Sequence, residues 1–174
     1  MIRKTLACTL FLLASAPLCA SADNAIAKFK GGIGVDPVSS APGPAPTAAT
    51  VNRNIVRGVQ PPGQLWVISD LAAVVTDDGR ISVSGKGLLL AGGNAIASNA
   101  GASVFATLIC EAAAPFTLHN SNLGGVPLEP NGDFKIDDIL SPPPPPDCAS
   151  PVLLIRNLGG AWFAAGIPDR DSKD

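Results

Sequence analysis

Leu71-Ala72-Ala73-Val74-Val75-Thr76-Asp77-Asp78-Gly79-Arg80-Ile81-Ser82-Val83-Ser84-Gly85-Lys86-Gly87-Leu88-Leu89-Leu90 is the stretch whose reading decides the fold. Ile81, Val83 and Leu89 fall on one side of an extended chain, and Ser82, Ser84 and Lys86 on the other. That is a period of two with one wet face, the pattern of a strand packed on a core from one side. Asp77-Asp78-Gly79 supplies the turn, because glycine reaches positive φ without a steric penalty. The segment reads as a β-hairpin.

The same punctuation continues outward on both sides. In residues 104–111, Val104, Ala106, Leu108 and Cys110 alternate with Phe105, Thr107, Ile109 and Glu111, so both faces are apolar and a central strand is predicted. Pro130-Asn131-Gly132 is a turn between strands at 126–129 and 133–140. Residues 152–157 and 161–167 form a closing hairpin over Leu158-Gly159-Gly160. No segment carries the periodicity of a useful amphipathic helix. The prediction is an all-β protein: a single antiparallel β-sandwich or partly open barrel over residues 51–168, with a polar tail at 169–174.

Residues 23–50 are rich in Ala, Gly, Pro and Ser and predict a flexible lead-in, to which Ile33 and Val35 around Gly34 could add a short edge strand. Residues 1–22 read as a secretory signal peptide. Arg3 and Lys4 form its positive region, residues 6–16 its apolar region, and Ala20-Ser21-Ala22 its cleavage site. The apolar region is too short to span a bilayer, and no other stretch reaches the ~20 apolar residues a crossing helix needs. Export to the periplasm or the medium is the expectation.

Charge and composition narrow the function. The chain has 12 basic and 14 acidic residues, and loss of Arg3 and Lys4 moves the net charge from −2 to −4. A mildly acidic surface disfavours nucleic acid and anionic membrane as partners. There is no tyrosine and there are two tryptophans, so Trp66 and Trp162 could make one small aromatic platform at most.

The cysteines carry the firmest chemical expectation. Cys8 and Cys19 leave with the signal peptide, and Cys110 and Cys148 remain as an even pair in an oxidising compartment, where a disulfide forms by default. Glu111 and Asp147 flank them and would raise a thiol pKa, which opposes a redox-active role. His119 with Ser98, Ser103 or Ser121 is the weak candidate for nucleophilic catalysis. A triad also needs a carboxylate on the imidazole, and no Gly-x-Ser-x-Gly elbow is present.

Asp133, Asp137 and Asp138, with Glu129 and Asn131, offer oxygens to Ca²⁺. In a strand, however, Asp133 and Asp137 stand about 13 Å apart at ~3.3 Å per residue, and convergence fails. They read better as a solvated acidic face, and no metal or other cofactor is expected. The long Gly/Ala/Asn/Ser stretch at 91–103, containing Gly92, Gly93, Asn94 and Asn99, reads as a flexible connection and as the first place to seek a binding surface. Ser141-Pro142-Pro143-Pro144-Pro145-Pro146-Asp147 reads as a stiff spacer that sets where Cys148 arrives.

A weak internal echo links Ile55-Val56-Arg57-Gly58 before Leu65-Trp66-Val67-Ile68 to Leu154-Ile155-Arg156-Asn157 before Ala161-Trp162-Phe163-Ala164. It predicts one or both arginines over a neighbouring indole. The segments 51–58, 87–94, 131–138 and 151–167 resemble exported bacterial β-rich proteins of unknown function. The likeness spans most of residues 28–168, including the cysteine positions; it implies export and a β fold and brings no activity. The functional expectation is an exported non-enzymatic domain, structural or binding a protein or envelope component. The alternatives are a barrel holding a small apolar ligand against Leu88, Leu90, Phe105 and Ile109, and a hydrolase using His119.

Overall fold

The computed structural model describes residues 24–36 and 54–169, and its first element is a strand where composition predicts a mobile lead-in. β1 (Ala25–Gly34) pairs antiparallel with two neighbours and lies inside the sheet, not at its edge. Ala27 and Phe29 point into the core while Lys30 faces water. The glycines that suggest looseness are there for close approach. A Cβ on Gly34 would stand 2.1 Å from the carbonyl oxygen of Trp66, and one on Gly32 would stand 2.9 Å from Leu71 Cβ. The β domain therefore begins at Ala25 among the described residues. The expected signal peptide, residues 23 and 37–50 of the expected lead-in, residues 51–53 of the expected β domain and residues 170–174 of the tail lie outside them. Asp169 donates its amide to the Lys28 carbonyl.

Beyond β1 the strands are β2 (Trp66–Val67), β3 (Asp70–Thr76), β4 (Arg80–Lys86), β5 (Leu89–Leu90) and β6 (Ser103–Ile109). They continue with β7 (His119–Asn120), β8 (Val126–Pro127), β9 (Phe134–Ile139), β10 (Val152–Asn157) and β11 (Trp162–Pro168). The sheet order is β7-β6-β10-β11-β1-β3-β4-β9, with β8 also on β6 and β2-β5 forming a separate ribbon. All pairings are antiparallel, and the sheet curls into a half-barrel. Reciprocal hydrogen bonds between Asn120 and Ser141 tie β7 to the chain just after β9, so the two ends of the sheet meet.

The 71–90 hairpin forms as predicted, from Asp70↔Lys86 to Val75↔Ile81, with Leu71, Ala73, Val75, Ile81 and Val83 inside. One detail differs. Leu89 does not continue the buried face; Leu88 and Leu90 do. The chain turns at Gly87 (φ +64), whose amide is taken by the Asp133 carboxylate, and this shifts the alternation by one residue. β6 is buried along nearly its whole length between β10 and the short strands β7 and β8, as its two apolar faces require. The proline run packs on the β3–β4 turn and buries Pro144.

The arginine–indole expectation is overturned. Trp66 stacks on Phe163 with centroids 3.9 Å apart, and the Trp162 indole donates to the Asn54 carbonyl at 2.9 Å. Arg156 lies 5.2 Å over the Phe105 ring instead. Arg57 is no strand residue. With Gly58 it turns the chain between Val56 and Val59, both residues at positive φ, as a type I′ turn requires.

Candidate functional site

Cys110 and Cys148 are joined, with Cα atoms 4.7 Å apart across 38 positions of sequence. The bond holds the end of β6 to the segment entering β10, and the Ser150 amide donates to the Cys110 carbonyl beside it. A disulfide is compatible with an oxidising location. Among the described residues no helix is long and apolar enough to cross a membrane.

His119 is buried at 3% exposure. Its Nδ1 lies 2.8 Å from the Pro142 carbonyl, which only a donating Nδ1–H can satisfy, and its Nε2 has no partner. Ser121 accepts the Ala106 amide on its hydroxyl and makes no bond to the imidazole. The carboxyl of Glu111 is held below its ordinary value chiefly by its hydrogen bonds with Thr117. The geometry that triad chemistry needs is not assembled at this ring.

The three candidate calcium ligands diverge. Asp133 accepts the Gly87 amide at 3.0 Å, Asp137 the Ser82 hydroxyl at 2.6 Å, and Asp138 the Asn122 amide at 2.6 Å. Each carboxylate fastens β9 or its flank to a different neighbour. Among the described residues no group of three His, Cys, Asp or Glu side chains converges on a point. Leu88, Leu90, Phe105 and Ile109 are packed in the core.

The 91–103 stretch is the feature the structure sharpens. It is a tied loop. Leu90 bonds across it twice, donating its N–H to the Ser98 carbonyl and accepting the Ala97 N–H on its own carbonyl. Ala91 N–H donates to the Leu65 carbonyl, extending the β2–β5 ribbon by one rung. Asn99 anchors the far limb: its Nδ2 donates to the carbonyls of Leu128 at 3.0 Å and Glu129 at 2.9 Å, and its Oδ1 accepts the Gly101 amide. Gly92 packs near Leu65, Gly93 near Gln64, and Asn94 is exposed.

Two alanines in this loop stand in the left-handed region, Ala97 at φ 64 and Ala100 at φ 52. A residue with a Cβ pays energy there and persists only where its surroundings fix it. The frame so held presents Ile96, which is 61% exposed. Leu65 and Val67 are also exposed, and a groove of about 330 Å³ runs past them, floored by Trp66, Val35 and Gly34. An ordered, strained loop beside exposed aliphatics is the candidate functional site. Of its residues the sequence marks the loop. It gives no sign that Leu65 or Val67 is exposed, and reads them only as part of a strand carrying Trp66.

The two arginines of the echo line a second groove, of about 500 Å³, with Gln60, Phe116, Leu118 and Gly159–Ala161. Arg57 Nη1 donates to the carbonyls of Ser150 and Ile109, and Nη2 to the Ser150 hydroxyl. Arg156 Nε donates to the Gly160 carbonyl at 2.8 Å and Nη1 to the Thr107 hydroxyl at 3.3 Å. Burial lowers the pKa of both guanidinium groups, with Glu111 acting against this at Arg57.

Compared with known proteins, the chain matches no family model, no curated protein and no solved structure significantly.

Proposed function

We propose that this chain is exported, and works in the cell envelope or the medium as a non-enzymatic β domain that binds a protein partner. The observation that carries this is the loop at 91–103: Ala97 and Ala100 hold strained backbone, Ile96 stands exposed on it, and Ala91 ties it to Leu65, which with Val67 is exposed along a groove. Scattered surface aliphatics need no explanation, but aliphatics exposed along a groove and on the loop hydrogen-bonded to it are what protein interfaces use. The disulfide, the N-terminal signal-like segment and the likeness to exported β proteins support the compartment. A barrel holding an apolar ligand is less favoured, because the side chains that would line it fill the core.

The test is native mass spectrometry of the full chain isolated from its own exporting cells, with and without reductant, as wild type and as Ile96→Asp. The reading expects a mature mass lacking the N-terminal 22 residues, two thiol protons fewer without reductant, and a retained partner lost in the variant. An uncleaved chain with free thiols, or a partner kept equally by Ile96→Asp, overturns it.

A further inference from the structure

Independently of the loop at 91–103, we propose that the groove between the Arg57 turn and the β10–β11 turn binds an organic carboxylate. Its anionic group would sit on Arg57 and Arg156, and its apolar body on Phe116 and Leu118.

Four observations lead there. Both arginines line one groove. Both are held by neutral acceptors, the carbonyls of Ile109, Ser150 and Gly160 and the hydroxyls of Ser150 and Thr107. The ion pair found among the described residues is elsewhere, between exposed Arg80 and Asp78. Glu111 acts on Arg57 through space without contact. Two positive charges in a net-acidic chain are thus positioned without being neutralised by a touching carboxylate.

The second point is preorganisation. Arg156 is fixed by its bond to Gly160 and by its seat over the Phe105 ring, and its Nη2 faces Gly160 on the groove wall. Arg57 is held at φ 47, a costly conformation for an arginine, by three side-chain bonds. Donors that remain on these groups, Nη2 of Arg156 and Nε of Arg57, have no partner among the described residues.

Third, the donors left on the two guanidinium groups can each give a charge-assisted hydrogen bond to a carboxylate oxygen, and fixed groups lose little freedom on binding. Fourth, the half-buried Phe116 and Leu118 give the groove an apolar wall. Such a wall favours an acid with an apolar body over a fully hydrated phosphate. The carboxylate could belong to a free small acid or to the end of a peptide.

The experiment is an ¹⁵N NMR titration of the oxidised full chain with benzoate, its neutral isostere benzamide, inorganic phosphate, and a short peptide ending in a free phenylalanine carboxylate. Benzoate or the peptide is expected to give saturable shifts at Gly159, Gly160 and Ala161, and whichever binds tighter identifies the source. Benzamide and phosphate should bind at least about tenfold more weakly. Arg156→Gln should lose about tenfold or more. Because that variant also removes the Phe105 contact, Gly159→Asp is the second: it leaves both arginines in place, sets a like charge at the rim, and should weaken binding comparably. No saturation by benzoate or peptide, equal binding of benzamide, tighter binding of phosphate, or full affinity in both variants overturns the proposal.

Discussion

Arg57 donates to both oxygens of Ser150, to the carbonyl at 2.6 Å and to the hydroxyl at 2.7 Å, across 93 positions of sequence. The same Nη1 reaches the Ile109 carbonyl at 3.2 Å. Ile109 precedes Cys110, and Ser150 follows Cys148 by two residues, so one guanidinium grips both limbs of the disulfide junction. Closing a loop of 38 residues is worth about 4 kcal/mol in the chain-entropy picture. Losing the charged hydrogen bonds in Arg57→Gln should cost about 1–3 kcal/mol. Since both act at one junction, the loss in Arg57→Gln with Cys110→Ser and Cys148→Ser should differ from the sum by about 0.5 kcal/mol or more. Urea denaturation of the three variants measures it, and strict additivity would refute the shared clamp.

Gly85 and Phe134 define a second dependence. They face each other in the β4–β9 register, and a Cβ on Gly85 would lie 2.1 Å from Phe134 Cε1. The ring thus occupies the space a side chain would take, on the buried face of the hairpin. Gly85→Ala should destabilise by about 3 kcal/mol, the upper range for overpacking. In a Phe134→Ala background the same substitution should cost nearly nothing, because the obstacle is gone. Thermal melts of the two single variants and the double variant decide this. An undiminished cost in the double variant would mean the clash is with something other than the ring.

How far the sequence speaks depends on what each residue's neighbours do. The 71–90 hairpin, β6 and the 152–157 strand are legible because alternation of apolar and polar side chains is a local record of one buried face. The Cys110–Cys148 link is legible from the count of cysteines left once the expected signal peptide is set aside. β1 is not, because its glycines serve contacts with Trp66 and Leu71 that lie more than 30 positions away. Without those partners, Gly-rich sequence reads as loose chain. Asn99 likewise looks like loop filler until its amide is seen on Leu128 and Glu129. Arg57 and Arg156 are picked out by the echo, but their partners, Ser150 and Phe105, come from strands and loops far off in sequence.

The turn at Asp78 carries the clearest pH signature. Its carboxylate accepts the Thr76 hydroxyl at 2.5 Å, the Arg80 amide at 3.1 Å and Arg80 Nε at 2.9 Å. These hold its pKa below the ordinary value, the Thr76 bond first, then the Arg80 amide. A group whose folded pKa is depressed contributes stability that is fully present above its unfolded pKa, about 4, and lost as pH falls through the folded value. Asp78→Ala should therefore be less stable than wild type at neutral pH, with the gap narrowing below about pH 4. High salt should leave most of the gap, since short hydrogen bonds outrank the charge of Arg80. A gap that is flat from pH 7 to pH 2, or that disappears in salt, would count against this account.

Asn99 tests whether the loop at 91–103 is a platform or a tether. Its side chain is the bond between that loop and the chain at Leu128–Glu129, and the Leu128 amide returns the contact on the Ala102 carbonyl. Asn99→Ala removes two donors and leaves two carbonyls to water, a loss of about 1–2 kcal/mol. Because the loop is peripheral to the core, most of that loss should appear as local opening and not as global unfolding. Hydrogen exchange at the amides of Ala97, Ala102 and Leu128 should speed by about tenfold, while Leu108 and Leu154 in the core keep their protection. If the strained backbone at Ala97 and Ala100 is what presents Ile96, the same variant should weaken partner binding without touching an exposed apolar atom. Unchanged exchange in the loop would show that the backbone alone holds it. Unchanged partner binding alongside fast exchange would show that recognition does not depend on its rigidity.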